Sequence, residues 1–290
     1  MFLSELLAVA SACCVALSAM VVGELKGRIA LLRLARWQLT AAFLMTAALS
    51  VALGGWRGLG QREVLLLAGS SLFGIMLAST TYYAAIYSAG PRVTALLFSV
   101  TSPFALGLGY LFLGETIRPV QGLGVACVLG GVVLALAPAR TSGGPSFRPS
   151  RAGLALGVAT ALGQALGNLF ARPAMAAGVE PFTAMAVRSG LAAAFFLLLA
   201  AFPFARDPAP FRVRDLGWAV TASLFGTVLG MSLLMAALAT GQVGIVSTLS
   251  SMAPIAILPM VWLRTGVRPA LTAWLGAGLA IAGTGLVSLG

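Results

Sequence analysis

The sequence predicts an all-α polytopic membrane protein whose ten transmembrane helices form two inverted five-helix repeats. Three observations carry that expectation. Of the 290 residues, 60% are hydrophobic and only 9% charged, with a mean hydropathy of +1.02, whereas a soluble domain carries about 25% charged residues. The apolar residues fall into ten runs, close to the ~20 helical residues that cross a hydrocarbon core of about 30 Å. The last five runs repeat, in order, features of the first five.

Taken in order, the first half predicts helices over 3–22, 34–54, 63–87, 92–113 and 120–137. The first run carries an acid, Glu5, where a signal peptide needs positive charge, so it reads as a spanning helix. The second opens at Arg36-Trp37, with Trp37 an interfacial anchor or a gate. The third is the richest in hydroxyls: Ser79, Tyr83 and Tyr87 fall at i, i+4 and i+8, with Thr80 and Tyr82 beside them. The fourth contains "TSPFALGLGYLFLGE", Thr101 to Glu115. Gly and Pro are tolerated in membrane helices because neighbours re-satisfy the backbone. Pro103 is expected near mid-helix as a hinge, and Gly107 and Gly109 as points of close packing. The fifth has small residues at Gly122, Ala126 and Gly130.

The segment "PARTSGGPSFRPSR", Pro138 to Arg151, is rich in Gly, Ser, Pro and Arg and lies near the midpoint. It divides the chain into a first repeat over 1–138, a linker over 139–150 and a second repeat over 151–290. Helices are predicted there over 152–172, 182–204, 215–238, 243–263 and 269–289. "RWQLTAAF" from Arg36 matches "RSGLAAAF" from Arg188 at an offset of 152, and "REVLLLAGSSLFG" from Arg62 matches "RDLGWAVTASLFG" from Arg214 at the same offset. Pro103 answers Pro254, the second expected hinge. The small-residue stripe recurs as Gly276, Ala280 and Thr284. Packing within one chain is its simpler use, and a dimer face the alternative. An odd number of spans per repeat forces the second copy to start on the opposite side of the membrane. That is the inverted-repeat plan of many secondary transporters, with the substrate site at mid-depth between repeats.

Two five-helix halves, an Arg near the start of each second helix (Arg36, Arg188) and the "SP…LGE" run into the fifth helix resemble the drug/metabolite transporter superfamily. More narrowly, the chain is similar to its ten-helix EamA-type branch, which includes bacterial amino-acid exporters. The resemblance implies a multi-pass protein of a bacterial-type inner membrane. It also implies export of a small-molecule substrate, with one ten-helix chain as the functional unit and both termini in the cytoplasm. Gly114-Glu115 fits the family pattern, but the second half has Arg264-Thr265 at that point.

Polar residues deep in apolar helices are the site candidates. Ser79, Thr80, Tyr82 and Tyr83 come from the third helix. The 152 offset maps Ser79 to Met231 and Tyr83 to Met235, so one half offers hydroxyls and rings and the other thioethers. Gln164 and Asn168 stand one turn apart in the sixth helix, where Val15 and Ala19 are their first-half equivalents. Their amides need partners in lipid, and a zwitterion would supply them. Around the prolines, Thr101 and Ser102 answer Ser250 and Ser251, as ligand contacts or as bonds to their own helices. Together these predict export of neutral, apolar or aromatic amino acids by alternating access.

The exclusions are equally informative. There is no histidine, and Cys13, Cys14 and Cys127 all lie in apolar runs. A disulfide framework, a zinc site and a cofactor are therefore not expected. No paired carboxylates suggest an intramembrane enzyme, and no P-loop suggests a primary pump. The seven acids lie at or near helix ends, leaving no proton relay at mid-depth. A cation or multidrug exporter is the second reading. The net charge of +11 sits in short loops, so it speaks for membrane orientation and not for nucleic acid. With a cytoplasmic N-terminus, only Arg57, Arg62, Arg118 and Arg172 of the 18 basic residues would be cytoplasmic. Thirteen would lie opposite, with Arg188 inside a span. The charge rule thus predicts both termini outside, against the family resemblance.

Overall fold

The computed structural model describes residues 2–25, 28–89, 94, 97–135, 150–202, 212–266 and 271–289. The side chains of residues 83, 86, 87, 135, 254, 261, 264, 265, 288 and 289 fall outside that description. The described residues are helical almost throughout, and the fold is an all-α, multi-pass bundle. Seven helices are long and apolar enough to cross a membrane, and three shorter apolar ones cover Leu97–Leu113, Pro119–Leu134 and Leu271–Val287.

In the first half, α1 covers Phe2–Gly23 and α2 Leu31–Leu53. The predicted third helix is three pieces without a bend-forming proline: α3 (Gln61–Ser71), a π-helical stretch (Leu72–Leu77) and α4 (Ala78–Ala89). Then come α5 (Thr101–Leu113) and α6 (Pro119–Ala135). The second half opens with α7 (Arg151–Ala176), capped by Ser150, whose hydroxyl accepts from Gly153 N at 2.9 Å. α8 (Pro181–Leu199) starts with Pro at its first position and Glu180 as its cap, the carboxylate accepting from Phe182 N and Thr183 N. It stops short of the predicted residue 204. α9 (Val213–Ser223), a second π-helical stretch (Leu224–Gly230) and α10 (Met231–Thr240) form the counterpart of the broken third helix. The two π stretches start at Leu72 and Leu224, 152 residues apart. The predicted ninth helix is split into α11 (Val243–Ser250) and α12 (Ala253–Thr265), and α13 covers Leu271–Leu289. α5 and α12 both end on a left-handed glycine, Gly114 at φ 65° and Gly266 at φ 69°.

The breaks correct the reading of the prolines. Each lies in the first turn of a helix that follows a two-residue turn, at Ser99-Val100 or at Ser251-Met252. There a missing N–H removes little, so the cost expected for a helix interior does not arise. Pro103 is exposed on the outside of the bundle. Gly107 is also exposed with open space beside it, whereas Gly109 packs against the Glu115 side chain.

The halves interleave. α3, the first π stretch and α4 pack on α7, and α10 with the second π stretch packs on α1. α2 packs on α8, α5 on α11 and α6 on α13. Small buried side chains, such as Ala8, Ala12, Ala165 and Ala171, bring backbones close. Matching hydroxyls fasten the crossings. Ser70 donates to Gly167 O at 2.5 Å and Ser18 to Ala222 O at 2.7 Å. Ser71 donates to Arg188 O at 2.7 Å and Ser223 to Gln38 O at 2.6 Å. At the α6–α13 crossing, a Cβ on Gly131 would stand 2.5 Å from Gly276 O, and one on Gly283 2.6 Å from Gly124 O. The buried stripe on α6 is therefore Gly124, Val128 and Gly131, while Gly122, Ala126 and Gly130 point outward. On α13, Gly276 and Ala280 lie in the contact as predicted.

Candidate functional site

Helices from both halves enclose a central cavity of about 480 Å³, within the ~300–1,000 Å³ of small-molecule sites. From the first half, α1 contributes Ser11, Val15, Ala16 and Ala19, and the π stretch contributes Gly74. α4 adds Ala78, Ser79 and Tyr82, and the turn into α5 adds Phe98, Ser99 and Thr101. α7 contributes Thr160, Gln164 and Asn168, and α10 adds Met231 and Leu234. Ser247, Ser250, Ser251, Ala253 and Ile257 complete it around the break between α11 and α12.

Gln164, Asn168 and Ser247 form a connected polar chain. Gln164 Nε2 donates to Asn168 Oδ1 at 3.3 Å, and Asn168 Nδ2 donates to Ser247 Oγ at 2.9 Å. Asn168 is 2% exposed, so this bond orients its amide firmly. Thr101 donates to Phe98 O, and Ser250 and Ser251 donate to Ser247 O. They face the cavity while bonding their own helices, which leaves their oxygens as acceptors. The Thr160 hydroxyl lies 2.8 Å from both Leu156 O and Thr81 Oγ1, with one proton to give to either. Tyr82 meets Phe98 edge to face at 6.1 Å, forming an aromatic side of the cavity. Ser79 and the Gln164 carbonyl carry no bond to another described residue. Among the described residues, no Asp, Glu, Lys or Arg lines the cavity.

Of the predicted residues, Ser79, Tyr82, Thr101, Gln164, Asn168, Met231, Ser250 and Ser251 lie on the cavity. Three stand elsewhere. Thr80 is exposed and donates to Met76 O at 2.7 Å. Ser102 is buried against Thr248, to whose hydroxyl it bonds. Met235 is fully buried, its sulfur 3.1 Å from Arg188 Nη1. Tyr83 and Pro254 have side chains outside the described residues. Thr160 and Ser247 were missed by the sequence reading, although Thr160 continues the i, i+4 series of Gln164 and Asn168.

A second depression, of about 710 Å³, lies between α2, α8 and α9 and includes Arg33, Arg36 and Trp37. It is larger but is lined mainly by aliphatic groups and has no convergent polar set, so the central cavity is the stronger candidate. Trp37 belongs to this outer depression, with Arg33 6.0 Å over its ring, and not to the central cavity.

Near one end of α11, Glu115 accepts from Val243 N at 2.8 and 3.1 Å and lies 3.8 Å from Arg172 Nε. Gln242 Nε2 donates to Thr116 O at 3.0 Å. Burial pushes the Glu115 carboxyl up from its ordinary value, opposed by the Val243 N–H and Arg172. This acid therefore joins the halves without needing a symmetric twin.

The sequence pattern of the EamA-like transporter family matches residues 2–137 and again residues 151–289. The chain belongs to the EamA-like transporter family. Membership places it within the drug/metabolite transporters as a multi-pass secondary transporter, in a transport class and not an enzyme class. A solved structure described only as a crystal structure of a protein has the same fold, with a TM-score of 0.83 at 19% identity. The match covers 99% of this EamA-like chain and 96% of the other. No curated protein matches.

Proposed function

We propose that this EamA-like transporter exports neutral amino acids with apolar or aromatic side chains across a bacterial-type inner membrane. The cavity carries the reading: its amides and hydroxyls suit a zwitterion's head, and Tyr82, Phe98, Met231 and Leu234 offer aromatic and apolar surface to a side chain. Ten spanning helices in two inverted repeats, 1–138 and 151–290 with a linker over 139–150, would move around it by alternating access. The twofold family match, the paired serine crossings and the paired π stretches support that arrangement. A cavity without a carboxylate lining favours downhill export over proton coupling.

Counterflow in proteoliposomes tests the substrate class, with neutral amino acids, nucleobases, sugars and cationic dyes as the panel. Accumulation of phenylalanine, leucine or methionine is expected. Accumulation of the dyes alone would replace this reading with a cation exporter. The charge distribution leads us to propose further that both termini face away from the cytoplasm. A green fluorescent protein fused after Gly290 should then stay dark while alkaline phosphatase at that point is active, and the reverse pattern would turn the molecule over.

A further inference from the structure

Arg188, on α8, is the largest fully buried side chain described, at 0% exposure. Its Nη1 meets only two sulfurs, Met185 Sδ at 3.5 Å and Met235 Sδ at 3.1 Å. Its Nε and Nη2 have no partner, and no carboxylate pairs with it among the described residues. Thioethers are weak acceptors, and an uncompensated buried charge is costly.

A Cβ on Gly74 would stand 3.2 Å from Arg188 Nη2, and Gly74 lines the cavity. With no side chain at Gly74, bare backbone is all that this residue puts between the guanidinium and the cavity. Met231 lines the cavity one turn from Met235, which holds the guanidinium from the other side. The described lining residues carry no formal charge, so none of them sets a carboxylate against the field of Arg188.

We infer that Arg188 is the specificity-determining charge of this cavity: from behind Gly74 it makes the cavity electropositive, selecting ligands that carry a carboxylate and refusing organic cations. The inference rests on the cavity being the substrate site. A zwitterion would place its carboxylate toward Gly74 and Asn168 and its ammonium toward the free Gln164 carbonyl and Ser79.

The field can be measured without knowing the substrate. In a background lacking Cys13, Cys14 and Cys127, Ser79→Cys puts one thiol in the cavity. Its modification rates with sulfonatoethyl and trimethylammonioethyl methanethiosulfonate are compared, each normalised to a free thiol in solution. Any effect of Arg188 on thiol ionisation cancels in the ratio. We expect the anionic reagent to be favoured at least tenfold, Arg188→Lys to keep the preference, and Arg188→Met to remove it. Equal rates, a preference for the cation, or no modification by either reagent in the Arg188 protein would overturn the proposal, even if no Arg188 variant folds. Phenylalanine counterflow is run in parallel with phenylpropionate and phenylalaninamide as competitors. Anion-selective labelling without counterflow keeps the charge filter and rejects the amino-acid reading. Counterflow without anion-selective labelling does the opposite.

Discussion

Arg36 and Arg188 occupy corresponding places in the two halves, yet their surroundings share little. Arg36 is half-buried at the outer depression beside Trp37, while Arg188 is sealed behind the cavity wall. The same contrast holds across the cavity, where Gln164 and Asn168 face Val15 and Ala19, and Ser79 answers Met231. The contacts that hold helices together do not diverge in this way. Ser70 and Ser18 fasten equivalent crossings, Ser71 and Ser223 fasten the next pair, and Gly114 and Gly266 end equivalent helices. Crossings that build the frame have kept their contacts, even where the hydroxyl has changed partner as at Ser70 and Ala222, and positions that face the cavity have lost their likeness. If the cavity is the substrate site proposed above, selectivity comes from the difference between the halves.

That comparison predicts paired substitutions with equal effects in the frame and unequal effects in the cavity. The largest loss should follow Gly131→Leu or Gly283→Leu, whose new atoms would meet backbone of the facing helix. Overpacking costs about 1–3 kcal/mol, and more when backbone has to move. Both variants should aggregate on size-exclusion chromatography, and Gly122→Leu on the exposed stripe should not. A monodisperse Gly131→Leu would break the equivalence. Next comes Asn168→Ala, which leaves Ser247 and Gln164 without their shared partner. At about 1–3 kcal/mol for unpaired buried groups, substrate binding should fall roughly 5- to 150-fold. The corresponding Ala19→Ser should change binding less than threefold, on the order of 0.6 kcal/mol.

Smaller effects sharpen the picture. Pro103→Ala should slow counterflow several-fold while leaving substrate affinity nearly unchanged, because a residue at a helix break acts on the conformational step. An unchanged rate would make it a static feature of the break. Last, Ser71→Ala and Ser223→Ala should lower stability by similar small amounts, about 0.6 kcal/mol each for an interhelical bond in a membrane. Thermal unfolding in matched detergent checks this, and a large asymmetry would remove Ser71 and Ser223 from the shared frame.

Much of the helical layout was legible because lipid demands long apolar runs, and runs can be counted. The candidate site was legible where two amides, Gln164 and Asn168, stand one turn apart among glycine, alanine and leucine. What escaped reading was phase. On α6, Gly122, Ala126 and Gly130 interleave with Gly124, Val128 and Gly131, and composition alone gives no reason to prefer either stripe. Met235 lies one turn from Met231, yet it covers Arg188 instead of facing the cavity. The sequence puts Arg188 inside a span, but nothing in it shows that two methionine sulfurs are the partners its Nη1 meets. Ser102 was read as a cavity hydroxyl because nothing in the sequence shows that Thr248 stands opposite.

The two π-helical stretches turn this question of phase into a property of the molecule. An α-helix advances about 100° per residue, and a π turn accommodates about one more residue than an α turn. Each stretch therefore acts as a phase slip between an anchoring segment and a segment that lines the cavity. Ser70 and Ser71 can hold their partners on α7 and α8 while Ser79 and Tyr82 are aimed independently. One residue gained or lost within Leu72–Leu77 would swing the whole lining of α4 by about a quarter turn and leave the anchors in place. Insertions and deletions, usually the most damaging changes to a membrane helix, would here be a route by which a relative acquires a different cargo.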